Sequence, residues 1–143
     1  MGKQMVKITV LCLVFLLPIL TQAQKKEDMN LEVYKWENQV LLLFAASEND
    51  AEFIKQKGLN RKNMQGIAER QLVVLELVPG GNAADMREDL LKKFDVEAAG
   101  YTLLLLGKDG MEKYRNRTAV SLEEVFKIID QMPMRRQEMR KQD

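Results

Sequence analysis

Gly100-Tyr101-Thr102-Leu103-Leu104-Leu105-Leu106-Gly107-Lys108-Asp109-Gly110 sets four consecutive leucines between a Gly-Tyr-Thr lead-in and a Gly-Lys-Asp-Gly closure. A strand covered on one face alternates apolar with polar residues, whereas an unbroken apolar run bounded by turn residues belongs to a strand covered on both faces. The stretch therefore predicts a central strand in a sheet with helices on both sides. Asp109-Gly110 is a hairpin signal, and residues 111–116 then return as an antiparallel edge strand of alternating character.

Upstream, Val40-Leu41-Leu42-Leu43-Phe44-Ala45-Ala46 is a second run of the same kind. Ser47-Glu48-Asn49-Asp50 reads as a helix start, because short polar side chains accept from the free backbone N–H groups there. Phe53, Ile54, Met64, Ile67 and Ala68 supply one helical face as far as Arg70, and whether Gly58 with Asn60 divides that helix stays open. Gln71 to Val78 is a third strand, closed by Pro79-Gly80-Gly81. Asn82 is expected to cap the next helix with Asp85 reaching back, and Ala83, Met86, Leu90, Leu91 and Phe94 form its apolar stripe. Downstream, Ser121-Leu122-Glu123-Glu124 is a capping box. Leu122, Val125, Phe126, Ile129 and Met132 make the last buried stripe, and Pro133 ends it. Trp36, the single tryptophan, is expected as a partly buried anchor at one edge of the core.

The order is thus β-α-β-α-β-β-α, an α/β chain. Strands that alternate with helices pair in parallel through right-handed crossovers, and the hairpin adds an antiparallel partner. The expected architecture is a mixed four-stranded sheet flanked by helices.

With 143 residues the chain has room for one core. Lys3 and Lys7, the apolar run Ile8 to Leu20 and the small residue in Thr21-Gln22-Ala23 read as a signal peptide over residues 1–23. Thirteen apolar residues fall short of the roughly twenty a membrane-spanning helix needs. Residues 24–30 read as a polar leader, 31–134 as the domain and 135–143 as a basic C-terminal tail. Loss of Lys3 and Lys7 turns 22 basic against 21 acidic residues into 20 against 21, a net charge of −1. Near-neutrality gives no global steering toward nucleic acid or an anionic membrane. Cys12 is the only cysteine and there is no histidine. Removal of the signal therefore leaves no thiol redox chemistry, no Ser-His or Cys-His nucleophile and no His or Cys metal site. Any catalysis would rest on carboxylates, lysine, arginine or tyrosine.

Thr102, Lys108-Asp109-Gly110 and the helix from Leu122 to Met132 resemble the C-terminal half of a thioredoxin-like domain. Such a domain enters this strand through a Pro-Thr pair and leaves it through a Lys-Asn/Asp-Gly hairpin. Tyr101 stands where thioredoxins have their cis-proline, and Ala45-Ala46-Ser47-Glu48 stands where they have Cys-x-x-Cys, so the redox machinery is missing at both positions. More closely, Trp36 with Val40–Phe44, Glu69-Arg70, Leu105–Gly110 and the segment Ile129-Asp130-Gln131-Met132-Pro133-Met134-Arg135-Arg136 with Glu138-Met139-Arg140 resemble the DUDES domain. That is a thioredoxin-like domain of unknown function, found in secreted bacterial proteins and in vertebrate sushi-repeat matrix proteins. The resemblance implies an exported, matrix-type binding or adhesion module without cofactor or assigned activity.

Two surfaces are candidates. Arg135, Arg136 and Arg140 after Pro133, with Lys108, Asp109 and Arg115 around the hairpin, suit a protein or anionic polymer outside the cytoplasm. Arginine can grip a sulfate, phosphate or carboxylate with two hydrogen bonds. Gly100 and Gly107 with Lys108 do not make a phosphate loop, since the spacing is six residues and Asp109 replaces the magnesium-binding hydroxyl. The alternative is a hydrolase or transferase site at Ser47, Glu48, Asn49, Asp50 and Tyr101, at the helix N-terminus after the first strand. The plainer role of Glu48 and Asp50 is to cap the helix and complement its dipole. Asn116-Arg117-Thr118 is a glycosylation sequon. Ligand and oligomeric state are unassigned at this level.

Overall fold

The computed structural model describes residues 30–142; the expected signal peptide and all of the leader before Asn30 lie outside the described residues. Four strands form one sheet in the order β2-β1-β3-β4. They are β1 (Gln39–Phe44), β2 (Leu72–Leu77), β3 (Thr102–Leu106) and β4 (Glu112–Asn116). The helices are α1 (Ala51–Lys62), α2 (Met64–Glu69), α3 (Arg87–Lys93), α4 (Leu122–Gln131) and α5 (Pro133–Gln142), and a short 3-10 turn spans Leu31–Tyr34.

The leucine run is the inner strand its composition demands, lying between β1 and β4. Successive side chains leave a strand on opposite faces. Leu103 and Leu105 therefore join Leu41, Leu43 and Leu72 under Phe53, Ile67, Leu122, Val125 and Ile129 of α1, α2 and α4. Leu104 and Leu106 join Leu42, Phe44, Leu75 and Leu77 under Met86, Leu90 and Leu91. Helices thus cover both faces, as the unbroken apolar runs require.

One pairing departs from the alternation rule. β1 and β2 run parallel, but β3 runs antiparallel to β1. The connection from Leu77 to Thr102, which carries α3, leaves and re-enters the sheet at the same end, with Thr102 opposite Phe44.

Other local expectations are corrected in the same physical terms. The first helix breaks at Asn63, not at Gly58, which stays inside α1. Asn63 donates its side chain to Leu59 O at 2.8 Å and so caps the end of α1. Ile54 and Met64 are exposed, leaving Phe53 and Ile67 to carry that face. Asn82 does not cap α3; its Oδ1 accepts from Glu76 N on β2 at 2.8 Å. Ser121 accepts from Glu124 N at 3.3 Å as a cap should, while the Glu124 carboxylate accepts instead from the Tyr114 hydroxyl at 2.7 Å. Trp36 is 64% exposed. It sits at φ 68°, fixed by its N–H donating to Lys108 O at 2.7 Å, and Leu31 takes the buried place. Pro133 ends α4 and also opens α5, where its missing N–H costs nothing. Residues 133–142 are thus helical and packed on α4 rather than a loose tail.

Candidate functional site

The sheet end beyond β1 and β2 is where open α/β sheets place their ligands. Here the chain's own groups fill it. Asp50 Oδ1 accepts from Phe53 N at 3.0 Å, capping α1, and Ser47 Oγ accepts from Asn49 N at 3.3 Å. Glu52 reaches across to Ala119 N at 2.6 Å. Arg87, the first residue of α3, donates to Leu77 O at 3.0 Å, Ala45 O at 3.2 Å and Ala98 O at 3.0 Å. One guanidinium thereby ties together the ends of β1 and β2 and the loop before β3. Sequence reasoning missed Arg87 and Glu52. No local signal marked Arg87, because the expected helix start at Asn82 set it in the second turn, and only in the structure does it open α3.

Tyr101 lies beneath this end, buried, with its hydroxyl enclosed and without a hydrogen-bond partner. Burial first, and then the Glu52 and Asp50 carboxylates, push the phenol well above the ordinary tyrosine range. Glu48 and Asn49 are exposed. Of the five residues Ser47, Glu48, Asn49, Asp50 and Tyr101, two are engaged in local caps and one is sealed in the core.

The hairpin end of the sheet is organised by charge. Lys108 is buried, its side chain only 4% exposed, and its Nζ donates to Gln71 Oε1 at 2.6 Å and Glu138 Oε1 at 2.5 Å. Glu138 also faces Arg135 Nη1 at 3.6 Å, and Arg135 Nε lies 3.4 Å from Asp130 Oδ1. Asp130 accepts two bonds from Arg70, at 3.0 and 2.7 Å, and the Arg70 guanidinium stacks 4.2 Å above the Phe126 ring. A chain of five charged residues thus links the β3–β4 hairpin, α5, α4 and the end of α2. Its Arg135–Asp130 link is local, but the links from Lys108 to Glu138 and from Arg70 to Asp130 join residues 30 and 60 apart and could not be read locally.

The network decides what the basic surface has left to offer. Arg135 and Lys108 are buried within it. Asp109 holds Lys113 at 2.7 Å. Arg115 holds Glu112 at 2.8 Å and donates to Phe94 O at 2.7 Å. Arg136 and Arg140 remain exposed on α5, with Arg140 Nε donating to Arg136 O at 3.2 Å. Nearby, Trp36 and Met111 stand exposed beside the hairpin, and Met134 borders it. The structure thus brings α5 and the hairpin of the proposed surface together, and keeps Ser47–Asp50 and Tyr101 apart from them at the end where β3 begins.

A family model described as "Domain of unknown function (DUF4174)" matches residues 30–138. Among solved structures, the chain is similar to a reduced 2-Cys peroxiredoxin of Plasmodium vivax. The two share 18% identity at a TM-score of 0.57, over 77% of this chain and 85% of that one. At that identity the likeness speaks for the fold, which is α/β and thioredoxin-like.

Proposed function

We propose that this chain, which belongs to the DUF4174 family of domains of unknown function, works as an exported, non-catalytic binding module on a thioredoxin-like fold. The finer family reading is the DUDES domain, with its matrix-type adhesion role. The observation that carries the proposal is the filled sheet end: Arg87 occupies three backbone carbonyls where a thioredoxin-like enzyme keeps its chemistry open. Residues 13–143 contain no cysteine, so the peroxiredoxin likeness brings a scaffold and not its thiol. The alternative hydrolase or transferase would use Glu48, Asp50 and Tyr101, but Asp50 already accepts from Phe53 N and Tyr101 is buried, which leaves Glu48 alone exposed.

The contact surface of this reading is the hairpin end, where Arg136 and Arg140 share one face of α5 at i and i+4. Its partner is a protein or anionic polymer outside the cytoplasm. The experiment is salt elution from a sulfated-polysaccharide resin. Arg136→Ala/Arg140→Ala is expected to elute at clearly lower salt than the parent, since such contacts are screened over about 10 Å at 0.1 M salt. An unchanged elution position would remove α5 from the proposal. The pair is chosen because neither side chain supports the buried network, so a loss of retention would not report unfolding.

A further inference from the structure

The two edges of the sheet are built differently. β4 carries Glu112, Lys113 and Arg115, the charges that keep an edge from pairing with other chains. β2 reads Leu-Val-Val-Leu-Glu-Leu, with a single charge.

The direction of its free backbone groups can be worked out. Glu76 N donates to Asn82 Oδ1, and Glu76 O accepts from Ala83 N at 3.3 Å, so the main chain of Glu76 faces away from β1. Gln71 O accepts from Asn38 Nδ2, beside the start of β1, and therefore faces the other way. Groups alternate along a strand, so Leu72 and Val74 present their N–H and C=O to the open edge. The loop at Asn82 and Ala83 closes that edge at Glu76, and Gln71, at φ 50°, turns the chain before Leu72. The free stretch is thus three residues long and bounded at both ends. Beside it lies a groove of about 390 Å³ whose apolar floor is Met64, Ile67, Leu72 and Val74.

We propose that this edge pairs antiparallel with the same edge of a second copy of the chain, about a twofold axis at Val73, joining two four-stranded sheets into one. The register is self-complementary. Leu72 of each copy exchanges both hydrogen bonds with Val74 of the other, and Val73 meets Val73 as a non-hydrogen-bonded pair. The length fits as well: the incoming strand begins at its Leu72 opposite Val74, and its chain has turned off at Gln71 before it would meet Asn82 and Ala83. A register shifted toward Glu76 would have to displace that loop. Cross-strand partners lie on one face, so the part-exposed Val74 of each copy comes to the groove of the other, while Leu72 keeps its side chain in its own core and contributes only backbone groups. Charge agrees with this arrangement. Lys57 and Glu76 neutralise each other at 3.2 Å within one copy, and the register sets Glu76 opposite Arg70 of the second, whose guanidinium is held by Asp130 of its own copy.

The test uses the full chain with Cys12→Ser, so that an introduced thiol is the only one. Val73→Cys puts two thiols on Cα atoms about 4.5 Å apart in a non-hydrogen-bonded pair, within the range a disulfide spans. Mild oxidation is expected to give a covalent dimer in high yield. Tyr114→Cys, on the β4 edge, is expected to stay largely monomeric. Sedimentation of the cysteine-free chain from micromolar to near-millimolar concentration should show a monomer–dimer equilibrium. Val74→Pro deletes only an outward N–H, the position at which an edge strand tolerates proline, and should weaken dimerisation at least about tenfold; Val74→Thr should retain it. A chain that stays monomeric and does not crosslink at residue 73 overturns the proposal. So does a dimer that crosslinks through residue 114 instead. Should Val74→Pro fail to fold, the Val73→Cys and Tyr114→Cys pair still decides.

Discussion

Replacing Tyr101 with phenylalanine removes one oxygen atom and leaves the packing of the ring intact. That oxygen is enclosed and has no hydrogen-bond partner. An unpaired hydroxyl costs roughly 1–3 kcal/mol when buried, judged from protein mutations, so Tyr101→Phe is expected to stabilise the fold by about 1 kcal/mol. In a domain of this size that raises Tm by roughly 4 °C. A second consequence appears at high pH. The folded state holds the phenolic proton more tightly than free tyrosine does, through burial first and then Glu52 and Asp50. The unfolded chain releases that proton from about pH 10. Stability associated with Tyr101 is therefore complete below that pH and is lost as pH rises toward the folded-state value, at about 1.4 kcal/mol per unit. The variant lacks this slope. Urea unfolding of both proteins at pH 8, 10 and 11 measures it, and the advantage of Tyr101→Phe should widen with each step. A variant less stable than its parent at pH 8, or a difference that does not change with pH, would refute the reasoning. It would mean that the hydroxyl is solvated in an open cleft, which is the geometry the enzymatic alternative requires.

Arg70→Lys keeps the charge but loses the two-pronged bond to Asp130 and the stack on Phe126; urea unfolding should show a loss of about 1–2 kcal/mol. Lys108→Met leaves Glu138 without its ammonium partner and should cost about 1–2 kcal/mol, with hydrogen exchange of the α5 amides accelerated before those of β1. Gly66→Ala would help a helix by about 1 kcal/mol through propensity, yet its Cβ would stand 2.5 Å from Phe126 Cε2. Displacing that ring from Arg70 should make the net change destabilising by about 1–2 kcal/mol. The bond from Arg115 holds Glu112 below the usual carboxylate range. At Asp109 partial burial pulls upward but is outweighed by Lys113 and Met111 N, so it too is lowered. Their stabilisation is present above the unfolded values near pH 4 and is lost as pH falls through the lower folded ones. As both pairs are partly exposed, the acid limb of a stability–pH curve should shrink by under about 1 kcal/mol in Lys113→Ala/Arg115→Ala.

The sheet was legible because burial on two faces leaves a local mark: Val40–Phe44 and Leu103–Leu106 have no polar member to turn toward water. The stripe of α4 and the Gly107–Gly110 turn, with Gly110 at φ 77°, were legible for the same kind of reason. What failed to show depended on distance along the chain. The direction of β3 is set by the end of the sheet at which the long connection from Leu77 re-enters, which apolar content does not reveal. Trp36 reads as a partly buried anchor at the core edge, and the hydrogen bond its backbone N–H donates to Lys108 O, far along the chain, accompanies its outward turn. Lys108 reads as a surface charge, since its burial is tolerable only beside Glu138, far along the chain; the pairing of Arg135 with Asp130, five residues away, is the local part of the network. Arg87 has no motif at all, for the three partners that give it its place are backbone carbonyls 10, 11 and 42 residues away.

Those long-range charges also bear on what α5 can do. A buried ammonium is stable only with its partners in place, so Lys108 fixes Glu138, and Glu138 fixes the helix that carries it. Arg136 and Arg140 are therefore displayed from an ordered helix rather than from a loose tail. Ordering a flexible segment opposes binding, by about 0.5–1.5 kcal/mol for each side chain immobilised and more for backbone. On this fold the backbone part of that ordering is complete before any partner arrives. The same logic explains how buried charge persists in a domain that would be more simply held by apolar packing. At one end Arg87 closes the sheet, and at the other Lys108 holds a basic helix in register with the hairpin. The salt sensitivity of binding should then follow Arg136 and Arg140, while the stability of the helix that presents them follows Lys108.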